Sequence, residues 1–170
     1  MSYMYFCQII NIFSLVPMRF IGNIEAKIDA KYRVFVPAAF RKILVAENQQ
    51  ILYLRKDIFQ ECIVAYPQSV WEEELTLLRK RLNKWIPEEQ EMYRQFMLEA
   101  EAVEIDSSGR IHISRSLLNI SGIDTEVRFL GVDNTFEIWP KVSLEKNRIA
   151  PEQFKKKIRE LMGSNSASNQ

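Results

Sequence analysis

The sequence predicts an α+β fold: a pseudo-symmetric β-barrel built from two tandem repeats, with a helical pair between them and a C-terminal helix. Three observations predict it. "EAKIDAKYRVFVPAAFRKIL", from Glu25, returns 77 residues later as "AVEIDSSGRIHISRSLLNIS", from Ala102, with the frame Ile-Asp-x-x-x-Arg in both copies. Later landmarks recur in the same order: "ILYLRKD" ending at Asp57 matches "VRFLGVD" ending at Asp133, and "IVAYP" ending at Pro67 matches "FEIWP" ending at Pro140. Between the copies the apolar residues step by three and four, as on a helix, instead of by two.

The elements follow in order. Residues 1–17, "MSYMYFCQIINIFSLVP", carry no charge. No basic residue precedes the apolar run, no small-residue cleavage site follows it, and Gln8, Asn11 and Ser14 interrupt it. A signal peptide needs the first two features, and a membrane span needs about 20 apolar residues. The segment is therefore expected to be an appended N-terminal extension outside the fold, arising from a start upstream of Met18, with a membrane tether as the competing reading.

Residues 23–70 form the first repeat: strand, turn, strand, short helix, strand, turn, strand. Val34 and Val36 alternate after the first turn as Ile111 and Ile113 do after its counterpart. A four-stranded unit of this size buries little alone, so two are expected to close one core.

Residues 71–99 are the linking helices. Ser69-Val70-Trp71-Glu72 has capping-box spacing, Glu72–Glu74 suit the positive end of the helix dipole, and Arg79, Lys80, Arg81 and Lys84 suit its negative end. Trp71, Leu75, Leu78, Leu82 and Trp85 make a narrow apolar stripe that must be covered. A second helix starts near Pro87, with Met92, Phe96 and Ala100 on one side.

Residues 100–143 are the second repeat. In residues 144–163 a last helix begins near Pro151, with Phe154, Ile158, Leu161 and Met162 on one side, and stops at Gly163. The polar tail, 164–170, is expected to be disordered.

Composition narrows the function. With 47% hydrophobic and 26% charged residues the chain is of the globular class. Its 23 Lys plus Arg against 22 Asp plus Glu give a net charge of +1, so polyanion binding has to come from local patches or from several copies acting together. Cys7 and Cys62 form neither a disulfide framework nor a metal or redox motif, which fits a reducing cytoplasm. The sole histidine, His112, has no second ligand at metal spacing, and the five glycines form no phosphate loop. Ser114 and His112 share a strand face with no third group to orient the base. The reading is a non-enzyme with no cofactor, metal or small-molecule substrate.

The repeated turn carries the chemistry. An aspartate at a strand end accepts hydrogen bonds from amides of the following turn, so Asp29 and Asp106 are turn-fixing residues. Arg33 and Arg110, four residues on, are then delivered to defined places, where a planar fork suits phosphate or guanine. Lys27, Lys31 and Arg41 near the first turn, and Arg115 near the second, enlarge the basic patch. Each Asp–Arg pair also reads as a salt bridge stapling its own hairpin. Gly109 gives the second turn the residue such a turn wants, where the first has Tyr32.

Together "MRFIGNIEAKIDAKYRVFVPAAFR" from Met18, "IDSSGRIHIS" and "FEIW" resemble the MraZ family of bacterial transcriptional regulators, made of two tandem AbrB-like swapped-hairpin units. The resemblance runs from Met18 to about Gly163. It implies a β-barrel pseudo-dimer that assembles into rings as a homo-oligomer. It also implies a repressor that binds double-stranded DNA at direct repeats upstream of the division and cell-wall gene cluster containing its own gene, in the cytoplasm and on the nucleoid. Asp29, Arg33, Asp106 and Arg110 occupy the family's motif positions. The family pattern has glycine where this chain has Tyr32 and proline where it has Ser114. Serine can cap the short helix that proline would begin. Tyr32 predicts asymmetry: the second turn keeps the family geometry and the first is strained or reshaped. The alternative function is a ring-forming interaction protein with weakened DNA binding.

Overall fold

In the computed structural model, which describes residues 19–164, eight strands and six helices alternate along the chain. The first repeat supplies β1 (Asn23–Lys27), β2 (Arg33–Phe35), α1 (Ala38–Ala46), β3 (Ile51–Lys56) and β4 (Ile63–Pro67). The helical pair is α2 (Gln68–Arg81) and α3 (Pro87–Leu98). The second repeat supplies β5 (Ala100–Glu104), β6 (Arg110–His112), α4 (Arg115–Ile120), β7 (Glu126–Val132) and β8 (Thr135–Pro140). Two helices follow, α5 (Ser143–Lys146) and α6 (Pro151–Ser164). The extension at 1–17 and the tail beyond Ser164 lie outside the described residues, and no described helix is long and apolar enough to cross a membrane.

Six strands form one antiparallel sheet in the order β1-β7-β8-β4-β3-β5, and β2 pairs with β6 in a separate two-stranded ribbon. The first strand of each repeat pairs with the third strand of the other: β1 with β7, and β5 with β3. At the sheet centre Val64 faces Glu137, and at the ribbon centre Val34 faces Ile111. Each is the other's counterpart in the sequence repeat, so a pseudo-two-fold axis runs through both points.

The expected barrel does not close. β1 and β5 are the sheet's two edges and do not pair with each other. Each edge strand leads into a tight turn, and the strands that follow spend their backbone groups on one another as the β2–β6 ribbon. The ribbon lies over the open side with Val34 and Ile111 fully buried. Alternating residues of both sheets enclose a core around Phe20, Phe40, Phe129 and Phe136, whose rings meet at centroid distances of 5.2–6.4 Å.

The helical pair differs in detail from the expectation. α2 starts at Gln68, directly after Pro67, and no side chain caps it, so Ser69 and Glu72 form no capping box. β4 runs straight into the helix, which puts Ser69 already inside it; Glu72 instead accepts from Gln68 Nε2 at 3.0 Å. Arg79, Lys80 and Arg81 form the basic last turn and Pro87 starts α3 as read, whereas Lys84 lies past the end of α2 and Glu72–Glu74 fall beyond the first turn of a helix that already starts at Gln68. Trp71 is buried, stacked between Tyr53 and Phe96 at 5.3 and 5.6 Å, whereas Trp85 lies past the end of α2 and is 80% exposed. Ala100 belongs to β5. Arg55 ties α3 to the sheet: it is 5% exposed, donates from Nε to the Phe96 carbonyl at 3.0 Å, and lies 3.6 Å from Glu99.

Candidate nucleic-acid interface

Both turns are built by the same hydrogen bonds. Asp29 Oδ1 accepts the N–H of Lys31 at 2.8 Å and of Arg33 at 3.0 Å. Its Oδ2 accepts Arg33 Nε at 2.9 Å, with Nη2 at 2.8 Å. In the second turn Asp106 Oδ1 accepts Ser108 and Arg110 N–H, both at 2.9 Å, and Oδ2 takes Arg110 Nε and Nη2, both at 2.9 Å. Hydrogen bonds from Arg33 lower the Asp29 carboxyl from 3.8 to about 2. Asp106 is lowered too, first by the Arg110 backbone bond. Both stay ionised across the neutral range.

This side-on pairing matters because a guanidinium has five donors in a rigid fork. Nε and one proton of Nη2 are held by the aspartate, and the outer end remains available. The aspartate therefore aims the arginine as well as neutralising it. The sequence offered stapled hairpin and cationic loop as rival readings, and the geometry lets one pair serve both.

The ribbon places the two arginines together. Arg33 pairs with His112 across it and Phe35 with Arg110, so these four side chains share the outer face while Val34 and Ile111 point inward. Arg33 and Arg110 sit at opposite ends, separated by two residues, or about 7 Å, along the strand direction. Phe35 is 57% exposed, and the Arg110 guanidinium lies 5.7 Å from its ring centroid.

The remaining basic residues are distributed crosswise. Arg41, read as near the first turn, lies on the second: its Nε donates to the Val36 carbonyl at 3.1 Å, and its side chain covers Gly109. Arg115 is exposed, two residues past Ile113, whose N–H bonds the Tyr32 carbonyl of the first turn at 2.9 Å. Lys31 is exposed in its turn, and Lys27 is 3.5 Å from Glu126 at the end of β1. Among the described residues no cluster of His, Cys, Asp and Glu is arranged to hold a metal.

Sequence reading missed Phe35 and His112 as members of this face. Alternation already put Phe35 on the side of Arg33, and the repeat made His112 its counterpart. Only the pairing of β2 with β6 showed that both point outward beside the arginines.

The family model for MraZ protein matches residues 96–160. The chain is 48% identical over 149 residues to the Transcriptional regulator MraZ of Phocaeicola vulgatus, covering 88% of this chain and 97% of that protein. It is 50% identical over 145 residues to the Transcriptional regulator MraZ of Bacteroides fragilis, covering 85% and 92%. Against the protein of that name from Christiangramia forsetii it is 32% identical over 148 residues, covering 85% and 93%. The chain belongs to the MraZ family.

The two departures from the MraZ pattern now have structures. Ser114 is the N-cap of α4, its Oγ accepting the Leu117 N–H at 3.1 Å, as expected of a serine in that place. Tyr32 has φ +58° and Gly109 φ +84°, so both turns use a left-handed residue. The first turn is not reshaped: tyrosine takes the conformation that glycine takes in the second, with the same hydrogen bonds. Gly109 has a further constraint, since a Cβ there would fall 2.5–2.8 Å from Arg41 atoms.

Proposed function

We propose that this protein is a sequence-specific DNA-binding transcriptional regulator. In this reading it represses the division and cell-wall gene cluster that contains its own gene, binding direct repeats upstream as a homo-oligomeric ring in the cytoplasm and on the nucleoid. The observation that carries the reading is the outer face of the β2–β6 ribbon, with two aspartate-aimed arginines across a pseudo-two-fold axis. A two-stranded ribbon fits the major groove, and an arginine fork donates to guanine O6 and N7. The strand positions of Arg33 and Arg110 are offset by about 7 Å along the ribbon, a length comparable to two base steps of about 3.4 Å. Lys31 and Arg115 supply phosphate contacts on the flanks, with Lys27 further out. Arg41 acts by holding the second turn.

The cross-repeat pairing of β1 with β7 and β5 with β3 supports residues 23–70 and 100–143 as tandem AbrB-like swapped-hairpin units, joined by the linking helices 71–99 and followed by the C-terminal region 144–163. A nearly neutral chain binds weakly through one ribbon, and assembly multiplies the contact by raising the effective concentration of the next one. The test is a gel-shift titration of DNA from upstream of its own gene, comparing the parent with Arg33→Ala and Arg110→Ala. The reading expects the parent to shift the DNA and each variant to weaken the shift about ten-fold or more, as loss of a good bidentate base contact does. No shift with the parent overturns it and favours an interaction protein.

A further inference from the structure

The outer face of the ribbon is two-fold in its arginines and not in their neighbours. Arg33 and Arg110 are counterparts in the sequence repeat, and the register sets Arg33 across from His112 and Arg110 across from Phe35. Phe35 and His112 are themselves counterparts, and both are exposed. One end of the face therefore carries a guanidinium beside an imidazole, and the other a guanidinium beside a phenyl ring. The ribbon continues one residue further at each end, where Ile113 N–H bonds the Tyr32 carbonyl at 2.9 Å and Val36 N–H bonds the Gly109 carbonyl at 3.0 Å. The backbone is thus matched at both ends, and the difference lies in the side chains.

The phenyl ring is placed for contact rather than for packing. Val34 and Val36, on either side of it in sequence, are buried in the core, while Phe35 stays 57% exposed. Its ring centroid lies 5.7 Å from the Arg110 guanidinium, whose Nε and Nη2 are held by Asp106, so ring and cation are kept side by side on the outer face. In the major groove thymine presents a C5-methyl group, and phenylalanine is among the side chains that meet it by apolar contact. A histidine in the equivalent place offers a ring donor or acceptor to a base edge instead. Two arginine forks related by a two-fold read a site the same way in both directions, as a palindrome requires. Phe35 and His112 break that equivalence.

We propose that Phe35 is a specificity-determining residue: its ring selects a thymine beside the base pair read by Arg110, through contact with the thymine C5-methyl group, and the histidine at the equivalent place makes the recognised site asymmetric. The inference rests on the DNA-binding reading above and adds which base the apolar member of the face selects. It also gives the bound ribbon a direction on the duplex. Turning the ribbon around sets the His112 imidazole against the methyl group and the Phe35 ring against a polar base edge, so one orientation is favoured.

The test is a gel-shift competition with DNA from upstream of its own gene, in which each thymine in turn is replaced by deoxyuridine, which lacks only the C5-methyl group. The parent is compared with Phe35→Ala and Phe35→His, with circular dichroism as the fold control. The expected result is a thymine whose replacement weakens the parent about four-fold, the factor that burial of one methyl group carries, while both variants bind the two DNAs equally. In Phe35→His/His112→Phe the preferred thymine should move to the two-fold-related place on the opposite strand, as read by selection from DNA randomised around the site. Should Phe35→Ala lose its folded spectrum, Phe35→His decides, since histidine already holds the equivalent strand position in the second repeat. A parent that shifts the DNA and is indifferent to every replacement overturns the proposal and leaves DNA binding standing. A penalty that persists in both variants, or a preferred thymine that stays in place in the double variant, also overturns it, because the methyl contact then belongs to another residue. A parent that does not shift the DNA overturns the DNA-binding reading and this inference together.

Discussion

Tyr32 shows how one residue departs from a rule and is tolerated. A left-handed backbone costs a non-glycine residue about 1–2 kcal/mol, and here the turn's hydrogen bonds hold it in place. Tyr32→Gly is expected to stabilise the fold by about 1 kcal/mol, less if glycine's extra freedom in the unfolded chain offsets the relief, as read from a urea midpoint. Gly109→Ala should lower stability by about 1–2 kcal/mol, because it puts the same strain under an arginine that must also move. If both substitutions prove neutral, the strain argument is wrong. The aspartates set a pH dependence. The folded-state pKa of Asp29, about 2, lies below its ordinary 3.8, so the native state binds fewer protons between them. Its contribution is complete above that ordinary value and is lost as pH falls through the interval. Asp106 acts in the same direction. Acid titration of Asp29→Asn and Asp106→Asn should accordingly show a shallower loss of stability between about pH 4 and pH 2 than the parent.

Among the elements, the helical pair depends on one buried cation. Arg55 reaches from β3 to the Phe96 carbonyl, to Glu99 and over the Phe96 ring at 4.2 Å, fixing the end of α3 where β5 begins. Arg55→Ala removes the partner of a half-buried carboxylate and a packing surface, and should destabilise by about 3 kcal/mol. Hydrogen exchange should report the loss first in α3, with β4 and β8 still protected. The sequence marked both helices through Pro87 and the basic turn at Arg79–Arg81. It did not mark the start of α2, because Ser69 has capping-box neighbours and nothing local says that β4 runs unbroken into the helix. Trp71 and Trp85 likewise share a stripe, yet one is stacked in an aromatic sandwich and the other is exposed past the helix end.

At the scale of the molecule, a net charge of +1 coexists with a ribbon face on which Arg33 and Arg110 stand together. If that face binds DNA, log affinity should fall linearly with log salt concentration, and Lys31→Ala or Arg115→Ala should reduce the slope by about 1 while weakening all sequences alike. Arg33→Ala and Arg110→Ala should instead relax base preference, read by competition with substituted sites. An affinity indifferent to salt would remove the phosphate part of the reading.

The sequence by itself determined the duplication, the α+β class, the turn chemistry of Asp29–Arg33 and Asp106–Arg110, and the starts of α3 and α6. All of these rest on interactions between residues close along the chain. What only the tertiary structure decided was long-range: that the first strand of each repeat pairs with the third of the other, and that the sheet stays open beneath a ribbon. The crosswise placement of Arg41 on the second turn, and of Arg115 beyond the strand bonded to the first, was likewise invisible in sequence. Strand partners and register are set by which buried faces meet across tens of residues, and periodicity, which records only what faces inward, carries no label for the partner.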